Sequence, residues 1–346
     1  MTGDITGAKR HYQPTSAART PGGRVRRRPS TEQRQRSRDL AELQRARLVL
    51  AAIDAVGELP LGEVTVLEIT NRAGVSRKTF YELFEQRGDC LLAAAQSTVA
   101  RLVEAVRPAY ERERGWSRRT RAGLSALLCF FDEHPAHALL CVKAAFDDDP
   151  RLLAYRSRVS ARFAGTLDAG RTKSTTDAVS PITADALVDA VLAILHRRLL
   201  GPSPEPCRDL LNPLMGMIVL PYRGVAAARA ELAAPPLSPR ATAAAAPTTG
   251  NPLQGVQVRL TYRTLRVLRA IEQTPGESNG AVAVAAGLGD LGQASKLLKR
   301  LEGLELIAND APRAGEPNAW RLTARAERML ATISRAAVPR ATPRGA

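Results

Sequence analysis

Two stretches of this 346-residue chain carry side chains suited to a polyanion, and three others imitate metal or cofactor chemistry. Ser76-Arg77-Lys78-Thr79-Phe80-Tyr81 sets two cations among three hydroxyls, groups that hold phosphate oxygens and reach base edges. Gln293, Lys296 and Arg300, spaced three then four, share one helix face, with Lys299 beside them. Gly287-Leu288-Gly289-Asp290-Leu291-Gly292 fits a Gly-x-Gly-x-x-Gly string. That string cradles a dinucleotide only after a strand, inside a βαβ unit, with an acidic residue about 20 positions on. A helical pattern precedes it here, so no cofactor is expected. His134 and His137 lie three apart, but Pro135 spoils the local helix and no third ligand pattern follows, so no metal is expected. Asp147-Asp148-Asp149-Pro150 reads as a solvated helix end before a proline. No nucleophile–base pair or paired-carboxylate pattern stands out, so no catalytic residue is named and the chain is not expected to be an enzyme.

Charge points the same way. Fifty Lys and Arg against 34 Asp and Glu leave a net charge of +16, which suits nucleic acid first and an anionic membrane surface second. A 45% hydrophobic fraction is enough for real cores, and the length suits two or three domains. No run of about 20 apolar residues is evident. The longest charge-free stretch, 241–258, is mostly Ala, Thr, Pro and Gly and reads as linker. Arg26-Arg27-Arg28 precedes Pro29-Ser30 rather than an apolar run, so no secretion signal is read. The four cysteines at 90, 129, 141 and 207 are far apart and suit a reducing cytoplasm. A cytoplasmic, nucleoid-associated protein without a membrane partner is expected.

The elements that must position these residues are mostly helices. From about 39 to 230 apolar residues recur at three- and four-residue spacing, as in Leu43, Ala46, Leu50 and Ile53, or Leu187, Ala190, Val191, Ile194 and Leu195. Pro60, Gly74, Gly88, Pro108, Pro135, Pro150, Pro181 and Gly201-Pro202 fall between periodic runs. Residues 1–38 form a basic disordered arm, with 11 Lys and Arg against 4 Asp and Glu over 1–46. Residues 39–92 form a DNA-binding unit, 93–232 a helical domain, 233–256 a flexible linker, 257–335 a second small domain and 336–346 a tail. The linker acts as a mobile tether.

In the first unit, Thr65-Val66-Leu67-Glu68 is a capping box, Gly74 ends the helix it opens, Val75 plugs the gap, and Ser76 caps the next helix. Phe80 and Phe84 bury one face and leave Arg77, Lys78, Thr79 and Tyr81 outward near the N-terminus. This is helix-turn-helix logic, in which the second helix enters a major groove. The string from Val64 to Phe84, with Ala73-Gly74-Val75-Ser76, Thr79, Tyr81 and Phe84 at its spacing, resembles the DNA-binding domain of the TetR family of bacterial repressors. The resemblance implies that Thr65 and Tyr81 hold phosphates, that Arg77, Lys78 and Thr79 face bases, and that Arg87 replaces a phosphate-binding Lys. Leu83 departs from a common aromatic, and Pro60-Leu61-Gly62 lacks the family's frequent aromatic-Gly pair.

The stretches 116–142 and 213–224 resemble more weakly the same family's effector-binding and dimerisation region. The 183–200 and 207–220 segments are apolar enough to pair with their copies across a twofold axis. Phe130, Phe131, Leu139, Phe146 and Tyr155 are core residues that could also line a pocket for a small apolar effector.

In the last unit, Ser278 caps a helix over 279–286, Gly287 turns, and Asp290 with Gln293 opens the next helix. Two short strands around a 312–318 turn carry Arg313 at the tip, and a final helix starts at Thr323. The order resembles the MarR-like winged helices. Gln293, Lys296, Lys299, Arg300 and Arg313 are then candidate second DNA contacts. The expected fold class is mostly all-α: a TetR-like helix-turn-helix and helical bundle linked to a small α+β winged-helix domain. The expected function is a ligand-responsive repressor that binds a palindromic operator in double-stranded DNA as a homodimer. One rival makes the winged helix a protein-docking adaptor, and a remote one makes the chain a nucleotide-binding enzyme that uses the 287–292 string.

Overall fold

A computed structural model describes residues 31–145, 147–170, 179–202, 205–235, 262–310 and 317–337. The arm expected over 1–38 is shorter than that, because its last eight residues already belong to a helix that begins at Thr31; residues 1–30, linker residues 236–256, Phe146, Arg313 and the tail beyond 337 lie outside the described residues. The first unit is α1 (Thr31–Glu58), α2 (Val66–Ala73) and α3 (Arg77–Leu83). The helical body is α4 (Arg87–Arg112), α5 (Trp116–Glu133), α6 (Pro135–Ala145), α7 (Pro150–Asp168), α8 (Thr183–Leu200) and α9 (Leu211–Leu232). The C-terminal unit is α10 (Tyr262–Gln273), α11 (Asn279–Ala285), α12 (Leu291–Glu302), β1 (Ile307–Asn309), β2 (Trp320–Leu322) and α13 (Ala324–Ala337). The fold is thus mostly all-α with one two-stranded antiparallel ribbon, in the register Ile307–Leu322, Ala308–Arg321 and Asn309–Trp320.

Pro135 and Pro150 stand at the first position of a helix, where their missing N–H costs little. Pro150 opens α7 behind Asp149, whose carboxylate accepts from Arg151 N at 2.9 Å, so the aspartate triplet does end as a helix cap. Pro108 departs from its expected role as a breaker: α4 runs through it to Arg112.

The helix α1 organises the molecule. Residues 48–53 are buried without interruption, and because a helix turns once in 3.6 residues, such a run is covered on every side. Helices α2, α4 and α6 pack against α1, and so do α10 and α13. One continuous apolar core therefore joins the first unit to Leu268, Leu298, Met329 and Ile333 of the C-terminal unit. The C-terminal unit is not left hanging on a tether. It sits on α1, where Arg269 forks to Asp39 and Glu42, both at 2.9 Å, and Gln35 also donates to Asp39.

A second core holds Leu128, Phe130, Phe131, Leu195, Leu214, Met215 and Tyr222 from the helical body. Cys207–Leu232 is long and apolar enough to cross a membrane by length and composition. It contains no straight span, because Gly224 takes φ 79°, ψ 179°, a conformation open essentially to glycine alone. The chain folds back there: Leu232 lies against Gly216, and Asn212 Nδ2 donates to Ala234 O at 2.6 Å. Arg121 fastens this hairpin to α5 through Asn212 and Glu231.

Candidate nucleic-acid interface

The first helix-turn-helix is built from its caps. Thr65 Oγ1 accepts from Glu68 N at 3.2 Å, and Ser76 Oγ accepts from Thr79 N at 3.1 Å. Gly74 lies at φ 59°, and the N–H groups of Gly74 and Val75 return to the carbonyls of Asn71 and Thr70, closing a Schellman turn. The reciprocal half of the Thr65 box is replaced: the Glu68 carboxylate takes Arg72 at 2.6 Å, and Arg72 also pairs with Glu58. Phe80 is fully buried and meets Phe84 at 5.6 Å between centroids, which locks α3 on its scaffold. Arg45 on α1 lies 4.3 Å over the Phe84 ring and donates to Leu83 O, closing the far end of α3.

Arg77 and Lys78 are exposed at the first two positions of α3, whose first turn holds no acidic residue. Tyr81 is 58% exposed, its ring edge against Phe80. Thr65 and Ser76 are exposed caps, and Thr79 is half-buried with its hydroxyl 2.9 Å from that of Ser76. Five of these residues belong to α3 and its cap, and Thr65 caps the preceding helix α2. Arg87 is used differently. Its Nη1 donates to Leu61 O at 2.8 Å and Val64 O at 3.2 Å, so it braces the turn before α2 against the start of α4. The sequence reading also missed what opens α4, a reciprocal cap between Gln86 and Asp89. Gly88 does not simply weaken that helix. It is buried, and a side chain there would collide with Arg151 and Asp149 of α7.

The second helix-turn-helix, α11–α12, repeats these devices. Ser278 Oγ accepts from Ala281 N, and Asp290 Oδ1 accepts from Gly292 N and Gln293 N. Gly287 sits at φ 59° in a turn closed by Leu288 N to Ala283 O at 2.8 Å. The glycine string thus lies between two helices, without the strand a dinucleotide site requires. Gln293, Lys296, Lys299 and Arg300 are all exposed on α12. Gln293 turns to Arg263 of α10, whose guanidinium donates to it at 3.1 Å, so Arg263 joins this basic face. Asn279 ties the two-stranded ribbon to α12: its Oδ1 accepts from Trp320 Nε1 at 2.6 Å and Asn318 Nδ2 at 3.0 Å, while its amide donates to Ser295. No local pattern announces that network.

Side chains also tie the helical body to the first unit. Lys143 of α6 donates to Val56 O and Leu59 O, capping the C-terminus of α1. Arg151 bridges Asp149 on α7 to Asp89 at the start of α4. His137 is buried between Thr98 Oγ1 at 2.8 Å and Arg101 Nη1 at 2.9 Å. Arg101 can only donate, so Nε2 of His137 accepts. Burial first, and the Arg101 charge second, pull His134 down to about 4. Phe130 and Phe131 belong to the core of the body, and Tyr155 belongs to the core around α1. Leu139 is half-buried. Burial pushes the thiols of Cys90 and Cys141 up to about 12. Among the described residues no metal-ligating cluster forms.

No family model matches the chain, and no curated protein matches it. Several solved structures are similar to about half of it. One is a fatty acid degradation regulator FadR from Bacillus halodurans, at 14% identity, covering 50% of this chain and 96% of its own, with a TM-score of 0.45. Another is a TetR-like transcriptional regulator from Rhodococcus sp. RHA1, at 20% identity, covering 51% and 94%, with a TM-score of 0.42. A third is a TetR family transcription regulator from Marinobacter aquaeolei VT8, at 19% identity, covering 54% and 96%, with a TM-score of 0.40.

Proposed function

We propose that the chain is a TetR-type transcriptional regulator that binds double-stranded DNA through α2–α3 and acts without catalysis. The observation that carries this reading is the placement of Arg77 and Lys78, exposed at the N-terminus of a helix whose other face is locked by Phe80. Cations there oppose the helix dipole, so they serve a ligand rather than the helix. Thr79 joins them toward base edges, Thr65 and Tyr81 hold flanking phosphates, Ser76 sets the helix start, and Arg87 acts mainly as a brace. Selection of duplexes from a random pool tests this: the wild type enriches one sequence, and Arg77→Ala and Lys78→Ala each lose it. Enrichment that survives both replacements together would put the reader elsewhere.

The protein works as a homodimer through α8 and α9 on a palindromic operator. Support comes from what these helices leave outside the core: Leu200 is 43% exposed and Leu220 46%. Leu195 is only 1% exposed within one chain, so Leu195→Arg would damage the fold, whereas Leu220→Arg tests the seam. Sedimentation of the wild type as a monomer at micromolar concentration would sink this arrangement.

A small, mostly apolar effector releases the operator by shifting the population toward a form whose two readers no longer match their half-sites. Lys143 and Arg151 are suited to pass a movement of α6 or α7 to α1 and α4. The wing unit adds a second DNA contact through Gln293, Lys296, Lys299 and Arg300. Repression occurs in the cytoplasm, at the nucleoid.

A further inference from the structure

Both helix-turn-helix units are mounted on the same stretch of α1. Arg45 holds the end of α3 through Leu83 O and the Phe84 ring, and Arg47 packs beside the turn at Gly74. Arg269 of the C-terminal unit grips Asp39 and Glu42. Glu42 and Arg45 are one turn apart, about 4.5 Å of helix rise. Asp39 is 5% exposed, so this is not a loose surface pair, and the apolar packing of α13 on α1 runs alongside it. The docking uses α10 and α13 and leaves the outer face of α12 open. That face carries Gln293, Lys296, Lys299 and Arg300 and is extended by Arg263. Cations beside an amide are the chemistry that meets phosphates and base edges.

We infer that α3 and α12 form one rigid composite head on α1 and that α12 contacts the DNA flanking the core site at a fixed offset. This deepens the proposed function and rests on it. A tethered module would contact DNA over a range of positions set by its linker. A module bolted to α1 contacts one position whatever the linker length.

Duplexes selected from a random pool by the full-length protein serve as the probe. Hydroxyl-radical footprints are compared for the wild type, a variant with ten Gly/Ser residues inserted after Ala245, and the double variant Arg263→Ala/Lys296→Ala. The wild type should protect a core and a flank at one offset, and the insertion should move neither. The double variant should lose the flank alone, with a salt slope flatter by about 1.8, about 0.9 for each lost phosphate contact. A flank that shifts or blurs with the insertion overturns the rigid head. No flank protection, with equal salt slopes, also overturns it and leaves α12 to an acidic protein surface. Failure of the first reader has a separate signature: no core protection, or core protection indifferent to Arg77→Ala/Lys78→Ala.

Discussion

The turns of the two helix-turn-helix units are built alike, whereas their second helices are loaded differently. Each turn has a glycine at φ 59°, Gly74 or Gly287, followed by a half-buried apolar plug, Val75 or Leu288, and then an oxygen cap, Ser76 or Asp290. Beyond the caps, α3 is seven residues long with its cations at the first two positions. Helix α12 is twelve residues long with Lys299 and Arg300 in its last turn. Cations at an N-terminus oppose the helix dipole, and cations in a last turn complement it. Arg77 and Lys78 therefore do not stabilise their own helix, while Lys299 and Arg300 have a local structural reason to exist. In the second unit Gln293 and Arg263 are paired with each other, which leaves Lys296 as the cation without a helix-end role.

The largest test of this contrast removes one member. Ending the chain after Pro235 strips α10 and α13 from α1, uncovering large apolar side chains worth about 1.5–3 kcal/mol each. Such a protein should bind hydrophobic dye, melt early and aggregate. If instead it stays monodisperse with a wild-type melting curve, the two units are independent. Next, Arg77→Ala or Lys78→Ala should cost about 1–3 kcal/mol of operator affinity and relax sequence preference, whereas Tyr81→Phe weakens all sequences alike. Smaller again, Ser76→Ala and Asp290→Ala should each cost about 1 kcal/mol of unfolding free energy, and unequal losses in calorimetry would mean the caps are not equivalent. The smallest effect is one of sign. Arg77→Ala should raise thermal stability by about 0.3–1 kcal/mol and Arg300→Ala should lower it by a similar amount. Matching signs would remove the dipole argument.

Local chemistry made much of the fold legible. The caps at Thr65, Ser76 and Ser278 need only the cap residue and the three that follow, and α8 begins and ends where its periodicity does. The exposed face of α3 could be read because Phe80 and Phe84 fix the opposite one. What escaped was long-range. Arg87 reaches carbonyls 23 and 26 residues back, and Asn279 meets Trp320 across 41 residues. The hairpin at Gly224 hides inside a run whose composition suits one continuous helix. The docking of α13 left one readable trace: the unbroken apolar run over 48–53, too broad for a helix covered on one side.

That run also dictates the timetable of synthesis. Its cover, α13, lies some 280 residues later and leaves the ribosome roughly 15–60 s after it at about 5–20 residues per second. Through that interval α1 carries an open apolar flank. Closing so wide a loop is slow relative to local helix formation. A chain interrupted before residue 324 therefore leaves that flank of α1 uncovered, and such a fragment is aggregation-prone.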